Sequence, residues 1–408
     1  MSILTACYFY QIIYIFIPWF KKDKPHKEEV PHRFAVLCAA RNERFVIGHL
    51  INSIRAQTYD SNLIDIFVVA DNCTDDTAEI ARKAGAIVYE RHNTELKGKG
   101  YALDFLISKI NSEHDASQYD AYIVFDADNI LDVNFISEMN KTFSDGYNII
   151  TSFRNSKNYG TNWISSGYAL WFIRESMYLN HPRMLIGSSC AISGTGFLVK
   201  REIIEKYGGW KFFLLTEDIQ FTVKNIIDGE KIGYCKNAIL FDEQPVTFKQ
   251  SWSQRLRWSR GYIQVALKYG AALLKGTFVK FDYSCYDMTM NIMPLSIIGI
   301  TSIVTNIIGL ILIAIMSPEN LVPAAWIVGK MIFGLYMSFF VFGFITMVTA
   351  WKKIYCNPVR KIFSLFTFPL FMFTYMPIIV ASLFKKVEWK QIDHTASMTL
   401  DDIRSHKK

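Results

Sequence analysis

From residue 33 onward the chain alternates short, continuously apolar runs with stretches of helical periodicity. "RFAVLCAA" precedes "VIGHLINSIRAQ", "IDIFVVADN" precedes "DDTAEIARKAG", "AIVYER" precedes "GYALDFLISKI", "AYIVFDADN" precedes "VNFISEMNKTF", and "NIITSF" follows. Runs that are apolar on both faces, spaced by amphipathic helices, predict an α/β unit whose mostly parallel sheet is covered on both sides. Such sheets bind ligands beyond the carboxyl ends of their strands. Neither a G-x-G-x-x-G nor a Walker A loop occurs, so dinucleotide and P-loop binding lose their main support.

At both ends the pattern changes. Ile3–Phe20, Met288–Met316, Met331–Trp351 and Ile362–Phe384 carry no charged side chain, and a run of about 20 such residues matches the hydrocarbon core of a bilayer. The three later runs are too long for ordinary buried helices; the first fits either role. It lacks a basic n-region and a small-residue cleavage site and is followed by "KKDK", which reads as an uncleaved anchor with cytoplasmic lysines. The expected division is an anchor over 1–20, a cytoplasmic domain over 21–250, an interfacial segment over 251–285, transmembrane helices over 286–385 and a tail over 386–408. This describes a multi-pass protein of the cell membrane. Pro369 and Pro377 leave the last run two courses, a full crossing or a bent re-entrant path.

Composition adds two points. A net charge of +7 partly reflects the lysines and arginines flanking the apolar runs. Seven scattered cysteines without C-x-x-C spacing fit a reducing compartment and argue against zinc.

The chemistry gathers at strand ends. Asp71 follows "IFVVA", and Asp126 and Asp128 follow "YIVF", so paired carboxylates emerge into a crevice where a hard divalent cation and phosphates can share them. A helix cap explains the D-x-D equally well when it stands alone. Lys97 and Lys99 lie between glycines in a loop suited to phosphate. Thr216, Glu217 and Asp218 open a helical pattern as a capping box would, although a box does not need both acids. "WSQRLRWSRG", residues 252–261, crowds cations and aromatics ahead of the apolar third.

In order, "VVADNCTDDT", "KGKGYAL", "VFDADN", "SGTGFLVKR", "TEDIQ" and "QRLRW" resemble the membrane-bound family 2 glycosyltransferases, the group of cellulose, hyaluronan, chitin and poly-N-acetylglucosamine synthases. The resemblance covers about residues 33–260. It implies a GT-A fold, a UDP-sugar donor and Mg²⁺ or Mn²⁺. By the family's pattern Ala40, Asp71, Lys99, Asp126 and Arg257 hold the donor, and Asp128 joins the metal. Asp218 matches the general base of an inverting transfer. Gly194, Glu217, Gln254 and Trp258 fall on the acceptor side, Trp258 stacking on the acceptor sugar. The Q-x-x-R-W pattern typifies processive members, so the implied product is a β-linked polysaccharide of glucose or N-acetylglucosamine.

The rival acceptor is a membrane lipid, and a rival of another class is a nucleotide-regulated transporter. Four or fewer spans make a lean channel, which implies an accessory secretion partner or a dimer; membrane lipids are expected partners and nucleic acid is not. Arg255 and Arg260 fall outside the pattern and read as contacts to lipid headgroups. Trp163 and Trp171 read as interfacial anchors or acceptor contacts, with anchors favoured, and His394 either touches the site or, as is usual for a lone histidine, sits on a solvated tail.

Overall fold

The computed structural model describes residues 2–405 except 293, 388–391, 393 and 395, with the backbone alone for 2–6, 294–300, 302 and 303. Eight strands form one sheet: β1 (Phe34–Ala40), β2 (Ile64–Asp71), β3 (Ile87–Arg91), β4 (Ala121–Asp126), β5 (Ile130–Leu131), β6 (Ile149–Ser156), β7 (Phe197–Lys200) and β8 (Ile232–Asp242). Their spatial order is β3-β2-β1-β4-β7-β6-β8-β5. The β1–β2, β1–β4, β2–β3 and β6–β8 ladders are parallel, while β7 runs antiparallel between β4 and β6, and β5 antiparallel against β8. The sheet is therefore mixed, with its parallel half where the alternating pattern predicted it.

Period-two alternation divides the core into two layers. Ala35, Leu37, Phe67, Val69, Tyr122 and Val124 point to one face, under α4 (Lys99–Glu113). Phe34, Val36, Val68, Ile123 and Phe125 point to the other, against α2 (Ile47–Arg55) and α5 (Phe135–Ser144). Between these helices α3 (Thr77–Lys83) packs beside β3. The N-terminal α1 (Ser2–Phe20) packs against residues 176–186. The second half adds α6 (Trp163–Glu175), which continues through a π-helical turn, Ser176–Asn180, into α7 (His181–Ile186). Then come α8 (Arg201–Lys206), α9 (Glu217–Ile227), the long α10 (Phe248–Val279), α11 (Tyr283–Ile292), α12 (Pro294–Met316), α13 (Leu321–Thr349), α14 (Pro358–Phe373), α15 (Tyr375–Phe384) and α16 (Leu400–Ser405).

Among the described residues, Pro318–Thr349 and Pro358–Phe384 are long and apolar enough to cross a membrane by length and composition; Cys7–Phe20 and Val304–Met316 are shorter apolar helices. The second of the long stretches breaks at Thr374, between Pro369 and Pro377. Arg255 repairs the break. Its Nη1 donates to the Phe371 carbonyl at 3.3 Å and to Thr374 Oγ1 at 2.6 Å, and its guanidinium lies 4.5 Å from the Phe371 ring and 4.8 Å from the Tyr375 ring. Arg255 is fully buried, and Arg260 reaches the Ser382 carbonyl at 3.3 Å. Both therefore serve the protein's own broken helix rather than lipid headgroups, because a helix interrupted by proline leaves carbonyls that only an internal donor can satisfy in an apolar setting. Trp163 and Trp171 pack partly buried against the larger core.

A buried ion pair joins α1 to the domain. Arg183 donates from Nε and Nη2 to the two carboxylate oxygens of Asp287 at 2.6 and 3.0 Å, and the hydroxyls of Tyr10 and Tyr14 donate to the same carboxylate at 2.7 and 2.9 Å. Both charged side chains are closed to solvent. Breaking such a pair leaves one charge unanswered, which costs about 3–5 kcal/mol, whereas replacing both partners by apolar residues is often neutral. Asp287→Leu should therefore lower the thermal midpoint in detergent sharply, and Arg183→Met combined with Asp287→Leu should recover most of the loss.

Candidate active site

The parallel strands end in a crevice lined by acids. Ala40 closes β1 between its neighbours, in register with Ala70 beside Asp71, while Ala39 pairs with Asp126. Its methyl group is small enough to leave the crevice open. Asp71 is buried and accepts from Arg91 Nη1 at 2.5 Å and from Asn72 Nδ2 at 3.1 Å, both on Oδ1. Arg91, at the end of β3, was not read from the sequence.

Lys99, the first residue of α4, swings across the crevice. Its Nζ bonds Asp126 Oδ1 and the Gly194 carbonyl, the latter at 2.7 Å. This ties the D-x-D to the glycine loop ahead of β7. Gly194 has φ +82°, and a methyl placed on it would stand 3.7 Å from Asp218 Oδ2, so the loop and the acid face each other directly. Positive φ favours glycine at this position.

Asp128 is buried with Oδ2 held by the Glu243 amide at 2.7 Å and Oδ1 by Asn129 Nδ2 at 3.2 Å. Burial opposes its charge, yet His394, Lys157, the Glu243 amide and Arg154 together hold its carboxyl below the usual range. Two carboxylates, Asp126 with Oδ1 on Lys99 and Asp128 with Oδ2 on the Glu243 amide, are the oxygen donors that a hard cation takes when phosphates complete its shell. No cluster of three or more histidine, cysteine, aspartate or glutamate side chains arranged for a metal occurs among the described residues.

Glu217 and Asp218 open α9, where the helix dipole favours acids. Thr216 makes no capping hydrogen bond, and its buried hydroxyl has no partner among the described residues; the capping reading of this motif is not what the structure adopts. Burial, with the neighbouring charge of Asp218, pushes the Glu217 carboxyl up to about 7. Burial likewise raises Asp218, against the pull of the Ile219 amide, Lys99, Arg257 and Arg154. A carboxylate raised in this way can accept a proton near neutral pH.

Helix α10 closes the site from the side that carries α15. Arg257 Nη1 donates to the Leu215 carbonyl at 2.9 Å. Trp258 is half-buried, edge-on to Tyr168 at 5.8 Å and Phe172 at 6.0 Å. Gln254 keeps a buried Oε1 without a partner among the described residues.

Two further groups were missed. Arg154 of β6 clamps Asp242 at 2.5 Å, donates to the Ser193 carbonyl at 2.8 Å and stacks 3.6 Å over Phe172. The acids at the end of β8, Asp242 and Glu243, follow an apolar run just as those of β2 and β4 do, and the same strand-end rule would have found them. His394 had no local signal. It is enclosed against Glu43, with Nδ1 3.0 Å from both carboxylate oxygens, and faces the charge of Asp128. Burial lowers its pKa, but Asp128 and Glu43 outweigh burial and hold it at about 10. Beyond it Ala396 donates to Glu243 at 2.9 Å, and Ile403 is buried with Ile130 and Phe241. Through His394, Ala396, Ile403 and Arg404 the described part of the tail lies as a strap along the acid edge.

A Rossmann-like sheet whose strand ends carry this acid and lysine arrangement defines a glycosyltransferase of the GT-A class. Residues 31–261, more than half of the chain, match the family described as glycosyltransferase like family 2, and the chain belongs to that family. A probable glycosyltransferase, YdaM, of Bacillus subtilis is 28% identical over 277 residues, 62% of this chain and 60% of the relative. The beta-monoglucosyldiacylglycerol synthase of a Nostoc species is 26% identical over 64% of this chain and 56% of its own. The poly-beta-1,6-N-acetyl-D-glucosamine synthase of Staphylococcus aureus is 25% identical over 65% and 63%. The chain thus spans about three fifths of the length of these relatives. A mannosyltransferase of Pyrobaculum calidifontis, solved with GDP-mannose and Mn²⁺, shares the fold at TM-score 0.59 and 14% identity over 94% of this chain and 97% of its own.

Glu43→Gln would remove the charge under His394. A hydrogen bond to a charged group contributes about 1.5–3 kcal/mol, so hydrogen–deuterium exchange across residues 396–405 should rise about tenfold or more. Arg404→Ala, which breaks the more exposed 2.7 Å pair with Asp132, should change it much less.

Proposed function

We propose that this protein transfers a sugar, with inversion, from a UDP-sugar to a hydroxyl acceptor at a membrane face, and that it extends a β-linked polysaccharide of glucose or N-acetylglucosamine. The observation that carries the reading is the meeting of Asp218 with the Lys99–Asp126–Gly194 link, which puts a raised carboxyl beside the cationic end of the crevice. Asp71 and Ala40 would take the uridine, while Lys99 and Arg257 would answer the charge of the diphosphate. Asp128, with Asp126 beside it, would hold the cation. A bound Mg²⁺ or Mn²⁺ would supply Lewis-acid stabilisation of charge on the diphosphate. Asp218 takes the proton from the acceptor hydroxyl as its oxygen attacks the anomeric carbon and UDP departs from the opposite face. Glu217 shares the site's negative charge with Asp218, and Gln254 and Trp258 line the acceptor side. Helices α1 and α12–α15 would anchor the protein in the membrane with the domain on the cytoplasmic side.

A second reading, transfer of a single sugar to a lipid, draws on the outward faces of α13 and α14. Ile327, Phe333 and Phe363 are exposed there, which suits lipid contact better than a closed polymer channel. The named activity of the Nostoc relative is of this kind. Measuring UDP release by the lipid-reconstituted protein with Mn²⁺ and a panel of UDP-sugars, then sizing the labelled product, separates the two. A long polymer supports the first reading, and a short lipid-extractable product supports the second.

Asp218→Asn should reduce turnover by about 10²- to 10⁴-fold with UDP affinity retained in a binding titration. The pH profile gives a sharper check. Asp218 must be ionised to act, and its pKa is raised, so kcat/KM should rise with pH through that raised value. Glu217 and Asp218 titrate as a pair, and Glu217→Gln removes a negative neighbour. The acidic limb of the variant should therefore shift to lower pH; an unmoved limb would show that the two acids are not coupled. Trp258→Ala should impair transfer to the acceptor more than the slow hydrolysis of the UDP-sugar, and equal losses would count against stacking.

A further inference from the structure

Two apolar helices, α1 and α13, end at one cavity, and each gives way there to lysines. Helix α1 finishes at Trp19 and Phe20, which are 63% and 86% exposed, and Lys21 and Lys22 follow. Helix α13 finishes at Thr349, and Trp351, Lys352 and Lys353 follow. An apolar helix closed by aromatic and then basic residues is the pattern of a segment leaving a bilayer. The cavity between the two ends has a volume of about 260 Å³, and its walls include Trp19, Phe153, Tyr178, His181, Lys236 and Lys353. It lies apart from the acids of the active site, since none of Asp71, Asp128 and Asp218 lines it.

Distant parts of the chain shape this cavity. Ser152 of β6 pairs with Cys235 but Phe153 pairs with Ile239, so residues 236–238 of β8 bulge out of the ladder, and a bulge re-aims the side chains it carries. Lys236, the first of them, pairs with Asp23, which also lies 2.8 Å from His181 Nε2. Tyr178 Oη donates to Thr349 Oγ1 at 2.7 Å, and Asn155 Nδ2 donates to the Lys353 carbonyl at 2.9 Å. These bonds pin the end of α13 to the π-helical turn and to β6. They leave the Lys353 ammonium over the fully buried Phe153, with Nζ 4.1 Å from the ring centre. Among the described residues that ammonium has no acid and no hydrogen-bond acceptor, and an aromatic face is a weak substitute for a carboxylate. Burial and the charge of Lys236 together hold it below the usual lysine range, the direction expected of a cation with no anion beside it.

We propose that this cavity binds the phosphate of an anionic membrane phospholipid, with Lys353 as its direct partner and Lys236 beside it, while the acyl chains run along the exposed Phe16, Trp19 and Val348. The inference rests on the membrane placement proposed above. Basic pockets between apolar helices at the cytoplasmic face are sites for anionic headgroups. The volume falls below the roughly 300–1,000 Å³ of pockets that enclose a whole small molecule, as suits a headgroup whose chains stay outside. A choline head would bring a further cation to a wall that already holds two lysines, and an uncharged head would leave Lys353 unanswered. Free phosphate shares the anionic chemistry but makes no use of the exposed apolar helix ends around the mouth.

Native mass spectrometry of the full-length protein in detergent, with added phosphatidylglycerol, phosphatidylcholine or inorganic phosphate, tests the assignment. Phosphatidylglycerol should bind in preference to phosphatidylcholine and should survive an excess of inorganic phosphate. Lys353→Met, which keeps most of the side chain and removes its charge, should weaken phosphatidylglycerol binding about tenfold, as expected for losing a hydrogen bond to a charged group. Lys352→Met, one residue away and exposed, should leave it nearly unchanged. The thermal midpoint gives a second readout. Phosphatidylglycerol should raise it for the wild type and not for Lys353→Met, and without lipid the variant should be no less stable than the wild type, because it loses an unpaired cation rather than half of a pair. Equal lipid preference in the wild type and Lys353→Met would overturn the site, and so would displacement of the lipid by inorganic phosphate. Loss of the preference together with a lowered lipid-free midpoint would assign Lys353 to packing and overturn it too. A wild type that stays monodisperse without detergent and does not float with liposomes would overturn the membrane placement along with the site.

Discussion

Acids collected at the carboxyl edge of a buried sheet lose their hydration, and the fold brings cations to them from elsewhere in the chain. Every functional segment answers that constraint. Arg91 comes from β3 to Asp71, Lys99 from α4 to Asp126, Arg154 from β6 to Asp242, and His394 from the tail to Glu43. Burial still raises several of them, Glu43 to about 7 and Asp242 to about 6 against the pull of their cations, and Glu217 to about 7 beside Asp218.

Helix α10 couples this balance to the apolar part of the molecule. Arg257 faces the start of α9, while Arg255, two residues earlier and on another side of the helix, is sunk among Tyr168, Phe371 and Tyr375 and caps the break between α14 and α15. A single helix therefore holds one arginine at the acids and another at the interrupted apolar helix. Gly261 allows the close approach, since a methyl there would stand 2.5 Å from Thr216. The helix break and the start of α9 are therefore tied to the same element.

Much of the acid-lined crevice was legible in the chain. A strand apolar on both faces followed by an acid can be recognised locally, because burial of the strand and emergence of its end are properties of consecutive residues; Asp71, Asp126 and Asp128 were found this way. The N-terminal lysine of α4 was found from its glycine-rich loop. Arg255 was misread for an equally physical reason: ten residues rich in Arg and Trp have the composition of an interfacial helix, and nothing within them says that a proline-broken helix more than 100 residues later needs a donor. His394 was read as solvated because its partner Glu43 lies 351 positions away.

The sequence by itself determined the α/β sheet, the places where its strands release carboxylates, and the apolar runs that flank the domain, since periodicity and strand-end chemistry are local. Only the tertiary structure decided which cation answers which acid, that His394 is brought to the edge beside Asp128, and that Arg255 caps the break between α14 and α15. Those are pairings across long separations. They follow from helix register and from the requirement that buried charge and freed backbone groups find partners, and no short stretch of residues contains that information.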